Sequence, residues 1–280
     1  MPMEMLTRSA SVRERVRRWR HLGHKVALIP TAGTLHKGHE RLIAAARTHS
    51  VRVIVSTFAP AAGRESLTQT ADRELLRKAG ADIMFVPPIH EIFPYGLENG
   101  PIVDVPHLAN VLEGSKRPGH FVGLTTVFAK LANIVRPDLV VLGERDYQWL
   151  VMVRQLIDDL FLPLELVSCP VARDYDGLVF ASTNRLLTLA QRTTALRLHA
   201  TLRNVAKRMD AGERDYNALE QQGFEALASA GLQPEYLGIR QSSDLAPARA
   251  DSRDLIVLAA ATIGSCRLVD NLRVRFPDRT

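Results

Sequence analysis

The sequence predicts an α/β protein, in which a parallel-sheet domain precedes a smaller α+β domain at the C-terminus. Up to about residue 173, short apolar runs alternate with helical segments, which is typical of βαβ units and a parallel sheet. Beyond that point two long helical stretches precede three grouped strands, the order expected of a separate α+β domain. We therefore expect one domain over residues 1–174 and a second, smaller domain over residues 175–280.

Each element of the first domain follows from the spacing of its apolar residues. The predicted strands are short apolar or β-branched runs at residues 25–30, 51–58, 83–86, 139–142 and 164–168. The predicted helices repeat apolar residues at helical spacing over residues 39–48, 71–79, 124–135 and 147–160. Near the N-terminus, Val12, Val16 and Trp19 repeat in the same way among arginines, which indicates an amphipathic helix on the surface.

The second domain has a different pattern. Alanine- and leucine-rich helices are predicted over residues 188–209 and 216–230, and strands over residues 235–241, 255–262 and 267–276. The connection between the two domains is expected near residues 174–184.

Composition excludes several classes of protein. With 46% hydrophobic and 24% charged residues, the chain is average for a globular protein. Its longest apolar run, residues 255–266, is shorter than the roughly twenty residues that a membrane span requires. The arginine-rich start lacks the apolar centre of a secretory signal, so a cytoplasmic location is expected. Cys169 and Cys266 form no Cys-x-x-Cys pair and are expected to be buried thiols.

The net charge of +6 raises the question of nucleic-acid binding. However, the arginines are scattered along the chain among acidic residues, and aromatic residues make up 6%. Tracking a nucleic-acid backbone takes a concentrated basic face with stacking aromatics. We therefore expect no nucleic-acid partner, and an anionic small substrate accounts equally well for local basic residues.

The most informative segment is residues 30–39, which read P-T-A-G-T-L-H-K-G-H. A strand ends at Pro30, Gly33 and Gly38 allow the backbone to approach a ligand, and a helix begins near His39. The N-terminus of a helix favours phosphate, and two histidines three residues apart can donate hydrogen bonds to the same phosphate group. Two exposed histidines on an ordinary helix cap are the alternative. A zinc pair is weaker, because no third ligand is evident.

This segment and several later ones resemble the pantothenate synthetase (pantoate–β-alanine ligase) family of the HxGH nucleotidyltransferase superfamily. The first match is T-x-G-x-L-H-x-G-H at residues 31–39. Further matches, in the family's order, are L-E-G-x-x-R-P-x-H-F-x-G at 112–123, I-V-x-P-D at 134–138, G-E-x-D-Y at 143–147, D-G-L at 176–178 and R-L-x-D-N at 267–271. The resemblance implies a Rossmann-like domain with a C-terminal lid, a homodimer, and dependence on ATP and Mg²⁺. The implied reaction adenylates a small carboxylic acid and then transfers the acyl group to an amine, releasing pyrophosphate and AMP.

The resemblance also implies roles for individual residues. His36 and His39 hold the phosphates, and Arg145 stands where the family has a phosphate-binding lysine. The implied nucleotide contacts are Pro30, Thr31, Gly38, Gly143, Asp146 and Ser182, with Gly143 and Asp146 at the ribose and Ser182 at the phosphates. Asp72 lies near the implied magnesium, and the implied acid and amine contacts are Arg117, His120 and Trp149.

Three departures from the family pattern concern the acid and the phosphates. Residues 56–63 read S-T-F-A-P-A-A-G and lack the asparagine and the acid-binding glutamine of the family's V-N-P-x-Q-F. Trp149 replaces a second acid-binding glutamine. Residues 180–184 read F-A-S-T-N where the family has M-S-S-R-N, so one serine and the arginine are missing. Since a site that hydrogen-bonds a substrate's hydroxyls discriminates strongly, we expect an acid other than pantoate.

Three alternatives stay open at this point. The chain is a pantoate–β-alanine ligase with a rebuilt pocket, a nucleotidyltransferase that stops at a nucleotide-linked product, or a nucleotide-binding protein without turnover.

Overall fold

The computed structural model describes residues 3–31, 35–49, 51–58 and 66–276, with side chains described throughout these ranges except at 66–69. Gly33 and residues 59–63 of the altered segment 56–63 lie outside the described residues. The chain divides into two compact units. Unit 1 comprises Met1–Val105, Gly119–Glu144 and Met152–Pro170, and unit 2 comprises Pro106–Pro118, Arg145–Val151 and Val171–Thr280. The expected domain boundary at residue 174 lies close to the start of the last segment, but unit 2 also takes up two earlier segments.

Unit 1 is built on a six-stranded parallel sheet of order β1-β4-β3-β2-β5-β6. Its strands are β1 (Glu4–Leu6), β2 (Val26–Thr31), β3 (Arg52–Thr57), β4 (Ile83–Phe85), β5 (Leu139–Gly143) and β6 (Glu165–Cys169). The predicted Rossmann-like sheet is confirmed. Strand β1, which pairs with β4 at the sheet edge, is not among the strands that the sequence predicts. Three residues carry too little periodicity to predict a strand.

The helices that precede residue 160 combine the long ones that the sequence predicts with short additional ones. They are α1 (Ser9–His21), α2 (Lys37–Thr48), α3 (Ser66–Ala79), α4 (Ile89–Ile92), α5 (Pro106–Ala109), α6 (Glu113–Lys116), α7 (His120–Val135) and α8 (Tyr147–Asp159). Helices α4, α5 and α6 are the additions, and each is too short to show helical periodicity. Helices α5 and α6 and the beginning of α8 fall in unit 2.

Successive residues of β2 face opposite sides of the sheet. Ala27 and Ile29 join the core beneath α2 and α3, whereas Val26 and Leu28 join the core beneath α1 and α7. All four side chains are fully buried. Because both faces are covered by helices, the strand is apolar throughout instead of alternating. The predicted amphipathic helix is confirmed as α1, whose Trp19 is buried.

Unit 2 contains helices α9 (Leu189–Asp210) and α10 (Tyr216–Ser229) and strands β7 (Gln233–Gln241), β8 (Asp254–Ile263) and β9 (Cys266–Arg275). The strands form an antiparallel sheet of order β7-β8-β9. Thr188 caps α9, because its hydroxyl accepts a hydrogen bond from Gln191 N while the Gln191 side chain accepts one from Thr188 N. Leu202 of α9, Leu219 of α10 and Val257 of β8 share one apolar core, as expected of an α+β unit.

Both cysteines are buried free thiols, as predicted. Burial and the neighbouring Glu144 carboxylate raise the pKa of the Cys169 thiol, so this group stays protonated at neutral pH. Within the described ranges, no helix has both the length and the apolar character needed to cross a bilayer.

The core of unit 2 provides a stability prediction. Leu202 is fully buried, whereas Leu189 at the start of the same helix is 88% exposed. We expect Leu202→Ala to lower the free energy of unfolding by about 2–5 kcal/mol, because it removes buried methyl groups and leaves a cavity. Leu189→Ala, the matched control, should change it by less than about 0.5 kcal/mol. Urea unfolding of both variants measures this, and equal losses would contradict the packing described above.

Candidate active site

The strand order of unit 1 places two loops side by side at the carboxyl edge of its sheet. From β2 the chain proceeds to β3 and β4 on one side, while β5 and β6 lie on the other side of β2. The strand order therefore reverses between β2 and β5, and ligands of open α/β sheets bind at such a point. The predicted segment with His36 and His39, residues 30–39, is termed the histidine loop and extends from the end of β2. Gly143 ends β5. The structure thus brings these two predicted nucleotide-binding segments together.

The histidine loop leads directly into the N-terminus of α2. His36 is the N-cap residue, and its Nδ1 accepts a hydrogen bond from Gly38 N at 3.1 Å. The backbone N–H of His36 donates in turn to His39 Nδ1 at 3.1 Å. Nδ1 of each ring accepts a backbone N–H, and a neutral histidine that accepts through Nδ1 carries its proton on Nε2. His39 Nδ1 also lies 3.3 Å from the backbone oxygen of His36. The two ring centroids are 4.2 Å apart.

This arrangement is suited to developing negative charge. Two Nε2–H donors lie beside the first turn of a helix, whose dipole also favours an anion. The backbone hydrogen bonds set the tautomer and orientation of both rings before any ligand arrives. Preorganised donors of this kind stabilise the charge that grows on a phosphoryl group in a transition state. The residues present therefore fit the phosphates of ATP.

Asp72 of α3 lies beneath this loop. It is 2% exposed, and its Oδ1 accepts a hydrogen bond from the backbone N–H of Leu35 at 3.0 Å. The carboxylate therefore fixes the residue next to His36. Among the described residues, no three His, Cys, Asp or Glu side chains form a metal-binding group. Mg²⁺ is typically held by one or two carboxylates together with substrate phosphates, so a single carboxylate here is compatible with the predicted magnesium contact.

The other predicted residues of unit 1 occupy the same edge or the start of α7. Pro30 and Thr31 end β2, and the Thr31 hydroxyl donates to the backbone oxygen of Ser56 at 2.9 Å. At Gly143 an added Cβ would meet Leu42 only at 3.8 Å, an ordinary contact. Packing within the protein therefore leaves room at Gly143 that a ribose can use. His120 is the first residue of α7, and its ring contacts that of Phe121 at 5.3 Å between centroids.

In unit 2, Arg145 contacts the loop that carries Ser182. Its Nη1 donates to the backbone oxygen of Phe180 at 3.1 Å, and its Nη2 lies 3.4 Å from Asp146 Oδ1. The backbone oxygen of Arg145 accepts a hydrogen bond from Asn271 Nδ2 at 2.9 Å. Ser182 begins a 3₁₀ segment, Ser182–Leu186, immediately after this contact. The structure therefore brings the predicted residues Arg145 and Ser182 into the same part of unit 2.

Charged side chains hold the segment of residues 173–184, which we term the 173–184 loop. Arg192 of α9 donates to both Asp174 and Asp176 at 2.7 Å. The hydrogen bond from Arg192 and a backbone N–H lower the pKa of Asp176, although burial opposes this. Arg173 donates to both oxygens of the buried Asp270 at 2.8 Å, and His199 Nδ1 lies 3.1 Å from the same carboxylate.

Arg117, a substrate-binding candidate of unit 2, belongs to a second charged group. Arg117 lies 3.3 Å from Glu113, whose carboxylate also receives two hydrogen bonds from Arg267 at 2.7 and 2.8 Å. Arg267 donates to Glu235 as well, and this bonding lowers the pKa of Glu235 against the effect of burial. Trp149, on α8, is partly buried. Arg117 is thus an exposed guanidinium with a fixed carboxylate beside it.

Sequence reasoning missed the role of Gln148. This residue is 4% exposed, and its Nε2 donates to the backbone oxygens of Leu108 and Val111 at 2.6 and 2.9 Å. Its Oε1 accepts from Glu113 N at 3.1 Å. Gln148 therefore fixes the chain that leads to Glu113 and Arg117. A polar residue within an apolar helical pattern is the available signal, and it does not reveal which backbone groups the side chain reaches.

Comparison with known proteins agrees with this geometry. The family model described as pantoate-beta-alanine ligase matches residues 4–273. The pantothenate synthetase of Pseudomonas putida (strain W619) is 40% identical over 277 residues, 96% of each chain. That of Alcanivorax borkumensis (strain ATCC 700651 / DSM 11573 / NCIMB 13689 / SK2) is 41% identical over 271 residues, which cover 94% of this chain and 95% of that one.

Solved structures give the same result. Pantothenate synthetase from Thermus thermophilus superimposes with a TM-score of 0.84 at 32% identity, over 96% of this chain and 99% of that one. The ligase from Francisella tularensis, described as complexed with beta-gamma ATP and beta-alanine, gives a TM-score of 0.77 at 28% identity, over 96% and 97% of the chains.

The chain belongs to the pantoate–β-alanine ligase family. The predicted family, the α/β fold and the ATP-dependent ligase class are therefore confirmed. Like the family, this ligase forms a carbon–nitrogen bond and uses ATP and Mg²⁺. The roles of the individual site residues stay predictions.

Two substitutions at Asp72 separate its hydrogen bond to Leu35 from its predicted contact with magnesium. Asp72→Ala removes the acceptor of the Leu35 N–H, and we expect a stability loss of about 1–3 kcal/mol. Asp72→Asn keeps an oxygen acceptor, so its stability should stay within about 1 kcal/mol of wild type while its requirement for Mg²⁺ rises. Urea unfolding and magnesium titration of ligase activity measure the two effects. Equal stability of both variants would refute the loop-fixing role, and an unchanged magnesium requirement in Asp72→Asn would refute the metal contact.

Proposed function

We propose that this ligase joins pantoate to β-alanine, with AMP and pyrophosphate as the other products. The observation that carries the proposal is the pair of histidines fixed by backbone hydrogen bonds at the start of α2. Further support comes from the family match, which spans residues 4–273, and from the Francisella tularensis relative described with a nucleotide and beta-alanine.

The chemistry needs two displacements, and ATP supplies the activation when it is bound. A carboxylate oxygen forms a bond to the α-phosphorus as pyrophosphate leaves, and the amine nitrogen then forms a bond to the acyl carbon as AMP leaves. His36 and His39 donate Nε2–H groups to phosphate oxygens and stabilise the charge that passes to pyrophosphate. Arg145 adds a positive charge beside the phosphates. The described site needs no covalent nucleophile for this sequence of steps.

We propose roles for the remaining site residues as well. Gly143 leaves room for the ribose, Asp146 accepts hydrogen bonds from its hydroxyls, and Ser182 contacts the phosphates. Pro30, Thr31 and Gly38 shape the nucleotide pocket with their backbone, and Asp72 contributes to magnesium binding. Arg117, His120 and Trp149 contact the acid and the amine.

A different small acid is the second candidate, and the sequence favours it at two positions. Residues 56–63 lack both the asparagine and the glutamine of the family pattern, and Trp149 replaces a further glutamine. Since unpaired hydrogen-bonding groups of a substrate cost binding energy, this pocket is less suited to an acid with hydroxyl groups. Trp149 supplies a flat apolar wall instead.

We also propose that the ligase acts as a homodimer in the cytoplasm. The family resemblance supports the dimer, and the consumption of ATP supports the location. Light scattering of the purified protein at several concentrations distinguishes one chain from two.

The function is tested by product analysis with Mg-ATP and a panel of carboxylic acids, with and without β-alanine. We expect release of pyrophosphate with pantoate, and of AMP and the amide when β-alanine is added. Release with another acid but not with pantoate would establish the second candidate. A nucleotide-linked final product would indicate a nucleotidyltransferase, and ATP binding without pyrophosphate release for any acid would indicate a protein without turnover.

The histidine pair gives a separate prediction. We expect His36→Ala and His39→Ala each to slow adenylation by on the order of a hundredfold or more, because each removes a donor to the transition state. His49→Ala, at the exposed end of α2, is the matched control and should retain activity. Pyrophosphate release in a single turnover measures the step directly. Wild-type rates in both variants would show that the loop is not the phosphate site.

A further inference from the structure

The 173–184 loop is held by its own Arg173 and by side chains from other parts of unit 2. Before the centre of the loop, Arg173 donates to the backbone oxygen of Gly177 at 3.2 Å. After it, Cys266 Sγ lies 3.4 Å from the backbone oxygen of Thr183. Between these points, Arg145 Nη1 donates to the backbone oxygen of Phe180. Arg145 is thus both a predicted phosphate ligand and a hydrogen-bond donor to the loop.

These two tasks require a guanidinium. Arginine has five N–H donors in a planar fork, so Nη1 can keep the Phe180 oxygen while other N–H groups face a phosphate. A lysine ammonium is a compact charge on a flexible stem and has no such fixed fork. The family pattern has lysine at this position, and this chain has arginine. The replacement therefore does more than exchange one positive charge for another.

The guanidinium has hydrogen-bonding capacity that the protein does not use. Within the described residues, Arg145 Nε is buried and has no hydrogen-bond partner, and the same holds for Asn184 Oδ1. Both residues line one pocket of unit 2, together with Ala181, His199 and Asp270. A buried donor without a partner destabilises the ligand-free protein. A small rotation of the guanidinium towards a phosphate oxygen would remove that destabilisation, so the arrangement favours ligand binding.

The second departure lies in the same loop. Thr183 stands where the family pattern has the arginine of M-S-S-R-N, so the loop itself brings no guanidinium to the phosphates at this position. Arg145, which lies outside the loop, donates a hydrogen bond to the loop's backbone at Phe180. Arg145 and Thr183, two positions that depart from the family pattern, therefore lie at the same loop.

We propose that Arg145 replaces both the lysine and the loop arginine of the family pattern, and that its hydrogen bond to Phe180 couples phosphate binding to the conformation of the 173–184 loop. This inference rests on the proposed phosphate role of Arg145. Arg145 is then a phosphate ligand that also positions the loop carrying Ser182. Lysine at 145 is sufficient only when an arginine is present at 183.

A double-mutant cycle tests the coupling. We expect Arg145→Lys to lower kcat/KM for ATP about a hundredfold, and Thr183→Arg in that background to recover at least about tenfold. Thr183→Arg in the wild-type background should gain much less than it gains beside lysine. Pyrophosphate release measures all four proteins. Independent, multiplicative effects of the two substitutions would overturn the proposal.

A second readout does not depend on catalysis. In the ligand-free protein, Arg145→Lys should speed hydrogen–deuterium exchange of the amides of residues 177–184, because the contact to the Phe180 oxygen is lost. Arg197→Lys, an exposed change on α9, is the matched control and should leave that exchange unchanged. Unchanged exchange in Arg145→Lys would overturn the positioning role. If Arg145→Lys exchanges faster but the wild-type protein adenylates no acid, the positioning role of Arg145 stands and the proposed function is rejected.

Discussion

Two backbone pairings, Ala27 with Leu139 and Leu28 with Val140, join β2 to β5. Because the chain leaves β2 towards β3 and leaves β5 towards β6, the segments that follow these two strands diverge and open a crevice between them. The histidine loop and Gly143 both border that crevice. Without this parallel pairing, a helix N-terminus and a glycine distant from it in sequence would have no reason to meet.

The sequence determines this part of the structure unusually directly, and the physical reason is burial. Strands covered on both faces must be apolar throughout, so the run at residues 25–30 stands out from its surroundings. The histidine loop is equally local, since its hydrogen bonds connect His36 with Gly38 and His39. A pattern of neighbouring residues therefore predicts both the strand and the loop. By contrast, β1 has three residues, and its pairing with β4 depends on a partner far away in the sequence.

The polar network of unit 2 could not be predicted for the same reason. Gln148, Glu113 and Arg267 act through partners distant in sequence, and their spacing carries no periodic signal. Composition is also ambiguous here. Arginines that contribute to the positive net charge, such as Arg173 and Arg192, form ion pairs with carboxylates within unit 2. A count of arginines does not distinguish such internal pairs from a surface that attracts polyanions.

Adenylation and the choice of acid depend on the sequence in different ways. In the proposed mechanism, adenylation depends on backbone geometry, a helix N-terminus and two fixed rings, and these features tolerate substitutions elsewhere in the chain. Choice of acid depends on a few side chains that pair with the substrate's polar groups, and one such pair can change discrimination by orders of magnitude. Identity of 40% over 96% of the chain therefore constrains the reaction type far more than it constrains the acid. In the proposed function, Trp149 and residues 56–63 concern acid binding, whereas Arg145 and Thr183 concern phosphate binding. With these proposed roles, a ligase of this family can alter its binding of ATP and its choice of acid independently, because separate groups of side chains carry the two tasks.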